Sequence, residues 1–210
     1  MNFTKVLVLS PHTDDAELGA GGTIARFIAE GKEIRYIAFS GCEISVPSEM
    51  PRDTLRKECL CSTRTIGIMP ENMTIMNYQV RTFPEHRQEI LEDLIKIKQD
   101  FKPQLVLTPS SQDMHQDHST IYGETLRAFK KDSSIWGYEH PWNNLNFTTD
   151  IFVRLKPEYI EKKLQALKEY RSQKHRSYMD EKNLLSLVYV RGAQLDLPYA
   201  EAFELVRMIY

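Results

Sequence analysis

The chain has 210 residues, 41% of them hydrophobic, with 27 Lys and Arg against 29 Asp and Glu and a formal net charge of -2. This composition excludes intrinsic disorder and a fibrous repeat, and the near-neutral charge argues against a nucleic-acid partner bound through its phosphates. The N-terminal apolar run at residues 6–9 is too short for a signal peptide or a membrane span, and the odd count of three cysteines indicates free thiols. We therefore expect a cytoplasmic protein.

The first forty residues predict the opening of a parallel α/β sheet. Residues 5–10 form a short apolar run with β-branched side chains, typical of a strand buried on both faces. The predicted loop 11–22 contains a G-x-G-G pattern that lacks the third glycine of a dinucleotide fingerprint. We expect these glycines to let a helix start close under a site. A helix over residues 23–30 and a strand over residues 33–39 follow.

The remaining pattern predicts helices and strands that alternate to the end of the chain. Helices are predicted over residues 51–66, 84–101, 119–130, 157–170 and 181–191. Strands are predicted over residues 74–77, 104–108, 134–138, 151–155 and 203–209, the last closing the sheet. Basic residues between 162 and 176 are interleaved with acidic ones, which favours a solvated helix face over a nucleic-acid site. The order predicts one domain, residues 1–210, with a three-layer α/β sandwich around a mostly parallel sheet.

Two polar clusters follow predicted strands. Residues 12–15 (HTDD) come after the first strand, and residues 113–118 (DMHQDH) come after the strand at 104–108. In an open α/β sheet, binding sites form in the crevice beyond the carboxyl ends of the strands. The two clusters are therefore expected to meet although about a hundred residues separate them.

The clusters hold the ligand types of a catalytic metal site. His12 and Asp15 flank a turn and supply one nitrogen and one oxygen ligand, while Asp14 should point elsewhere. His115 and His118 are three apart, so on the first turn of a helix they share a face, where one can bind metal while the other stays free. Two His and one Asp leave a fourth zinc position open to water.

The side chains of the two clusters that do not bind the metal supply the other groups needed for metal-assisted hydrolysis. A free carboxylate serves as general base, and the second histidine donates to the developing oxyanion and later to the leaving nitrogen. Asp117 is close enough in sequence to orient His115 or His118. Taken singly, each of these residues is more typical of a helix cap or a turn; the pairing of two complementary clusters at strand ends favours the site.

The same residues carry a family resemblance. The segment SPHTDDAELGAGGT at residues 10–23, together with HQDH at residues 115–118, resembles the LmbE-like, PIG-L-type de-N-acetylase family. Supporting matches lie at residues 56–58, 102–106, 170–173, 191–192 and 199–203, so the resemblance covers nearly the whole chain. It implies a Rossmann-like fold and a zinc-dependent enzyme, with another divalent metal as the alternative, that removes the N-acetyl group from N-acetylglucosamine-type sugars and conjugates.

The resemblance also implies roles for individual residues. Three positions match the family's metal ligands: His12, Asp15 and His118. Asp14 matches the general base. His115 matches the residue that stabilises the oxyanion and protonates the amine, with Asp117 as its partner.

Two further residues are candidates for contact with the substrate, and three positions depart from the family pattern. Arg56 lies near where some members contact substrate, and Trp142 is a candidate for stacking on a sugar face, with buried aromatic packing as the alternative. Thr13 and Gln116 replace two common prolines, and Ala16 stands where many members have Glu. These departures affect loop rigidity and the substrate subclass and leave the ligands and the base in place.

The expected function is therefore zinc-dependent N-deacetylation of a small N-acetylated amino sugar or conjugate, with release of acetate. Two alternatives stay open: a metal-dependent hydrolase of another amide or ester, and a non-catalytic sugar- or nucleotide-binding module on the same scaffold. Related enzymes often assemble, so a homo-oligomer is compatible with the resemblance.

Overall fold

The computed structural model describes residues 3–210, which form a seven-stranded sheet flanked by α-helices. The strands are β1 (Lys5–Ser10), β2 (Glu33–Ala38), β3 (Met73–Ile75), β4 (Leu105–Pro109), β5 (Ser134–Tyr138), β6 (Ile151–Arg154) and β7 (Ala200–Arg207). The helices are α1 (Asp15–Ala29), α2 (Thr54–Ile66), α3 (Arg87–Phe101), α4 (Gln116–Phe129), α5 (Pro157–Leu167) and α6 (Glu181–Ala193). None of the helices in this described range is long and apolar enough to cross a membrane.

The strand order places a topological switch point between β1 and β4. The order across the sheet is β3-β2-β1-β4-β5-β7-β6, and the pairs among the first five strands are parallel. From β1 the chain winds out to β3 and then crosses to β4, so the carboxyl ends of β1 and β4 open a crevice. The prediction of a mostly parallel three-layer α/β fold is confirmed.

The last strand departs from the prediction. β7 does not lie at an edge of the sheet but inserts between β5 and β6, antiparallel to both. Its first half, residues 200–203, is buried, whereas half-buried and exposed side chains alternate over residues 204–207. The sequence pattern shows a buried strand, but it does not show which neighbours that strand pairs with.

The two faces of β1 explain how the layers are held. Val6 and Val8 pack into a large apolar cluster with residues of α1, α2 and α5, while Leu7 and Leu9 pack on the opposite face with residues of α3 and α4. All four side chains are fully buried. Such a central strand needs apolar residues on both faces, as the continuous apolar run predicts.

Helix α1 begins at Asp15, not at residue 23 as predicted, and the three glycines lie inside it. A Cβ atom on Gly22 would meet Leu155 Cδ1 at 2.6 Å, and one on Gly21 would meet Lys163 Cγ at 2.9 Å. These glycines are therefore positions of close packing within the helix, rather than a loop before it.

A buried ion pair fills the space that these glycines leave. Lys163 and Glu201 are only 2% and 4% exposed, and Lys163 Nζ lies 2.7 Å from Glu201 Oε1. The ammonium also donates to the carbonyl oxygen of Leu18 at 2.7 Å. The Glu201 carboxylate accepts from the amides of Gly22 and Thr23 at 3.0 and 2.7 Å. The pair fastens α5 and β7 to α1, the helix whose first residue is Asp15.

Candidate metal centre and active site

The structure brings the two polar clusters together at the carboxyl ends of β1 and β4. His12 follows β1, Asp117 lies in the first turn of α4, and their side chains are 2.9 Å apart. Around them opens a cavity of about 270 Å³ that is lined by residues of both clusters and of five further loops or helices. The expected meeting of the clusters is thus observed.

Three side-chain atoms in this cavity form a nearly regular triangle. Oδ2 of Asp15 lies 3.1 Å from Nδ1 of His12 and 3.1 Å from Nε2 of His118, and the two nitrogens are 3.2 Å apart. Ligand atoms around a tetrahedral zinc, with bonds of about 2.0–2.1 Å, lie about 3.3–3.4 Å from one another. The spacing of the three predicted ligands therefore fits one face of such a coordination shell.

Carboxylates orient both histidines toward that triangle. Nε2 of His12 faces Oδ2 of Asp117 at 2.9 Å, and Nδ1 of His118 faces Oδ2 of Asp113 at 2.7 Å. Because an ionised carboxylate only accepts hydrogen bonds, each of these nitrogens carries the hydrogen. The opposite nitrogen of each neutral ring then has a lone pair directed toward Asp15, which is the usual arrangement behind a metal-binding histidine.

The carboxylate of Asp117 does not contact His115, the partner predicted for it. Its carboxylate contacts His12 and accepts from the amides of Arg81 and Phe83 at 2.6 and 3.3 Å, rather than contacting His115 or His118. Only its backbone amide reaches His115, donating to Nδ1 at 3.2 Å. His115 is the N-cap residue of α4, and its ring accepts from a backbone amide of the first turn. The Asp117 carboxylate points the other way, toward His12 after β1.

The local electrostatics favour positive charge at the triangle. Burial lowers the pKa of His12, but Asp15 and Asp117 outweigh this effect and raise that pKa to about 10. Burial likewise opposes the charge of His118, yet Asp15 and Asp113 raise its pKa to about 9. Three carboxylates thus surround two imidazoles. A metal cation would satisfy the same demand by replacing the two protons.

Asp14 differs from its neighbour Asp15 in having no partner. Its carboxylate lines the cavity, is 8% exposed and makes no side-chain hydrogen bond to any described residue, although Asp14 is the N-cap residue of α1. Burial, followed by the charge of Asp15, raises the pKa of Asp14 to about 7. A carboxyl group with a pKa near neutrality is suited to taking up and giving back a proton.

His115 presents a hydrogen-bond donor to the same cavity. Since its Nδ1 accepts from the Asp117 amide, the hydrogen of the neutral ring is on Nε2. Burial, together with the positive charges of His118 and His12, lowers the pKa of His115 to about 4. Its ring centroid lies 4.9 Å from that of His12 and 4.8 Å from that of His118.

Two residues outside the predicted ligands and catalytic groups, Asp113 and His140, connect this network. Oδ2 of Asp113 faces both His118 Nδ1, at 2.7 Å, and His140 Nδ1, at 3.3 Å, while Oδ1 accepts from the His115 amide at 3.0 Å. His140 is fully buried and its Nε2 donates to the carbonyl oxygen of Asp15 at 2.9 Å. Both residues follow strands, Asp113 after β4 and His140 after β5, so the strand-end rule that located the clusters also points to them.

The turn that carries Thr13 is held by hydrogen bonds. The carbonyl oxygen of Thr13 accepts from the Tyr170 hydroxyl and, at 3.2 Å, from the Cys59 thiol. The same hydroxyl lies 2.9 Å from the buried carboxylate of Glu17, which also accepts from Ser62 at 2.7 Å. Side chains from α2 and from the end of α5 therefore fix the turn at the position where the family more often has proline.

The predicted substrate contact at Arg56 is not supported. Its guanidinium donates to the carbonyl oxygens of Ile75 and Met76, both at 3.2 Å, and to the amide oxygen of Asn77 at 2.6 Å. It also pairs with Glu43 at 3.2 Å. Arg56 thus ties α2 to the end of β3 and the residues after it, and it is not among the residues that line the cavity.

Trp142 lies in the wall of the cavity. Its side chain is 43% exposed and lies nearly parallel to two neighbouring rings: Tyr178 at 4.6 Å between centroids and His140 at 5.1 Å, with interplanar angles of 19° and 20°. Aromatic packing, the alternative reading of this residue, is therefore observed, while part of the indole stays exposed at the cavity wall. Its contact with substrate stays a prediction.

Comparison with known families decides which group of enzymes this site belongs to. A family model described as PIG-L, GlcNAc-PI de-N-acetylase, matches residues 7–129, which include both polar clusters. The chain belongs to the PIG-L family. The uncharacterized deacetylase YaiS of Escherichia coli (strain K12) is 31% identical over 173 residues, covering 80% of this chain and 90% of the relative.

Solved structures confirm the fold of this PIG-L chain. The N,N'-diacetylchitobiose deacetylase from Pyrococcus horikoshii is similar with a TM-score of 0.83 at 22% identity, covering 98% of this chain and 84% of the other. GalB, the 4-carboxy-2-hydroxymuconate hydratase from Pseudomonas putida KT2440, is similar with a TM-score of 0.79 at 20% identity, covering 99% and 98%. At such identities the likeness shows the fold alone, and GalB illustrates that the fold also carries other chemistry.

Family membership therefore supplies the reaction class. PIG-L deacetylases are metal-dependent hydrolases, and this chain is an N-deacetylase with a group of His and Asp side chains placed to hold a metal. The expected enzyme class is confirmed, which decides against the non-catalytic binding module.

Proposed function

We propose that this PIG-L chain is a zinc-dependent hydrolase that removes the N-acetyl group of an amino sugar or its conjugate and releases acetate. One observation carries the proposal: His12 Nδ1, Asp15 Oδ2 and His118 Nε2 converge within 3.2 Å of one another beside the unpartnered carboxylate of Asp14. His12, Asp15 and His118 would hold the metal. When bound there, zinc lowers the pKa of a coordinated water and polarises the acetyl carbonyl.

The side chains of the cavity divide the remaining work. Asp14 removes a proton from the attacking water, whose oxygen bonds to the acetyl carbon. The Nε2–H of His115 donates a hydrogen bond to the carbonyl oxygen as negative charge develops on it. When the carbon–nitrogen bond breaks, the leaving amine takes up the proton that Asp14 carries. We assign this last proton transfer to Asp14 and not to His115. The neutral His115 ring has a single hydrogen, on Nε2, and that hydrogen is already donated to the carbonyl oxygen.

The proposal is tested by acetate release from N-acetylglucosamine and its conjugates. The purified protein should lose activity when a chelator removes the metal and regain it when zinc is added back. Asp14→Asn should lower kcat by about 10²–10⁴-fold and leave the zinc content unchanged, since Asp14 acts on protons and is not a ligand. Asp132→Asn is the matched control, because Asp132 pairs with Lys98 before β5, at the other end of the sheet.

Two results would overturn the mechanism: activity that persists after complete metal removal, or an Asp14→Asn enzyme as active as the control. A metal-dependent hydrolase of another amide or ester would use the same constellation. A panel of N-acyl sugars, acyl amino acids and esters separates that alternative, because the proposed enzyme should release acetate from N-acetyl sugars far faster than from the other two classes.

A further inference from the structure

Two arginines in the cavity wall have no role in the chemistry above. Arg81 belongs to the loop between β3 and α3, and Arg176 to the loop between α5 and α6, and both line the cavity that holds the triangle of ligand atoms. Both side chains are exposed. Within residues 3–210 neither guanidinium pairs with a carboxylate or donates a hydrogen bond to protein, in contrast to Arg56 and Arg191, which are both engaged.

The backbone of Arg81 is fixed by the same carboxylate that orients His12. Arg81 has a φ of 72°, in the left-handed region that non-glycine residues rarely adopt. Its amide donates to Oδ2 of Asp117 at 2.6 Å, and this oxygen also faces His12 Nε2 at 2.9 Å. Such a conformation persists where surrounding contacts hold it, and it is frequent at ligand sites. The position of Arg81 at the cavity is therefore tied to the metal ligand itself.

Arg176 ends a basic stretch that the fold brings to the cavity mouth. The stretch, residues 171–176, reads RSQKHR, and its members Arg171, Lys174 and His175 line an adjoining cavity of about 530 Å³. Ser45 lines both cavities. No carboxylate of the described residues forms an ion pair with this stretch, although Glu49 lies in the lining of the adjoining cavity. A solvated helix face was predicted for these residues, but they form a loop beside the site.

Charge is thus distributed unevenly in a chain whose net charge is only -2. The acidic side chains that line the catalytic cavity are Asp14 and Asp15, and a divalent metal would offset both. The carboxylates of Asp113 and Asp117 lie behind the histidines and face their rings. The two guanidinium groups are therefore charges that line the cavity without a partner among the described residues. Arginine matches a phosphate group with two parallel hydrogen bonds, whereas the hydroxyls of a neutral sugar need no such charge.

We propose that the site takes an amino sugar that carries a phosphate or diphosphate group, which Arg81 and Arg176 bind while the acetamide lies at the ligand triangle. This inference rests on the proposed function and names the substrate class within it. A free sugar phosphate and a nucleotide sugar both present a phosphate group to the arginines. The adjoining cavity, which is lined by the basic stretch, has room for the longer of the two.

Kinetics with three substrates test the inference. The kcat/KM for N-acetylglucosamine 1-phosphate or for UDP-N-acetylglucosamine should exceed that for N-acetylglucosamine by at least about 10-fold, as expected for charge-assisted hydrogen bonds. The better of the two phosphorylated substrates identifies the source of the phosphate. Rising ionic strength should lower kcat/KM for that substrate and leave the neutral sugar unaffected.

Variants then locate the effect. Arg81→Ala and Arg176→Ala should each lower kcat/KM for the phosphorylated substrate by about 10–100-fold and change the value for N-acetylglucosamine by less than about 2-fold. Arg207→Ala is the matched control, since Arg207 is exposed and pairs in register with Ile135 at the amino end of β5. Thermal unfolding of each variant shows that it is folded.

The failures of the two proposals are distinguishable. Equal kcat/KM for neutral and phosphorylated sugars, unchanged in both arginine variants, overturns the inference while the deacetylase proposal stands. Absence of acetate release from every sugar overturns the proposed function. In that case calorimetry with N-acetylglucosamine 1-phosphate still decides: binding that weakens at least about 10-fold in both arginine variants supports the inference, and unaltered or undetectable binding overturns it.

Discussion

Asp14 and Asp15 show how the surroundings give neighbouring side chains different functions. Asp15 accepts from the His12 amide at 2.8 Å and faces two ring nitrogens, and His118 and His12 hold its pKa well below the ordinary value against the effect of burial. Asp14 faces the cavity without a partner. The sequence predicted this division, because consecutive residues in a turn point in different directions. The pKa of each group depends on tertiary contacts and was not predictable.

Asp113 is a positioning residue whose role follows from its 2.7 Å contact with His118 Nδ1. Asp113→Asn keeps the size of the side chain but removes the charge that orients and polarises the imidazole. Zinc affinity should fall by about 10–100-fold, as is typical for loss of a carboxylate behind a metal-binding histidine. Competition with a chelator dye measures the affinity directly. A variant with the affinity of the Asp132→Asn control would show that Asp113 does not act through His118.

Helix α1 is the element in which sequence reasoning and structure differ most. Its glycines suggested a loop, because glycine is unfavourable inside a helix by about 1 kcal/mol relative to alanine. In the folded chain, Leu155 and Lys163 pack so closely against Gly22 and Gly21 that a larger side chain would not fit, so the helix has glycine at these positions. Both contacts are distant in sequence. Likewise, nothing local distinguishes buried Lys163 from its exposed neighbour Lys162.

The buried pair of Lys163 and Glu201 provides a test at the level of these elements. Lys163→Met leaves the Glu201 carboxylate buried without its cation, which should lower the free energy of unfolding by about 3 kcal/mol. The two amides of α1 that Glu201 also accepts from limit the loss. Urea denaturation measures the change. Lys162→Met is the control and should stay within about 0.5 kcal/mol of the wild type. Equal stabilities of the two variants would contradict a role for the pair in holding α5 and β7 to α1.

At the scale of the whole molecule, the sequence predicted the layers, the strand-rich centre and the place where the two clusters meet. These features follow from local patterns and from the rule that parallel strands end at a common edge. Three features depend on long-range packing and were not predicted. These are the insertion of β7 between two strands, the place of Trp142 and Tyr178 in the cavity wall, and the place of the basic stretch, residues 171–176, beside the cavity. The basic residues of this stretch were visible in the sequence but were interpreted as part of a solvated helix face, so their place beside the cavity was not predicted. Cytoplasmic location and a single-domain organisation stay predictions.

The proposed metal position is the centre of the triangle formed by His12, Asp15 and His118. Crystals of the protein with zinc, measured at the zinc absorption edge, locate the ion by its anomalous signal. We expect one strong peak at about 2.0–2.2 Å from His12 Nδ1, Asp15 Oδ2 and His118 Nε2. A peak bound instead through His115 or His140, or no peak near these three atoms, would contradict it.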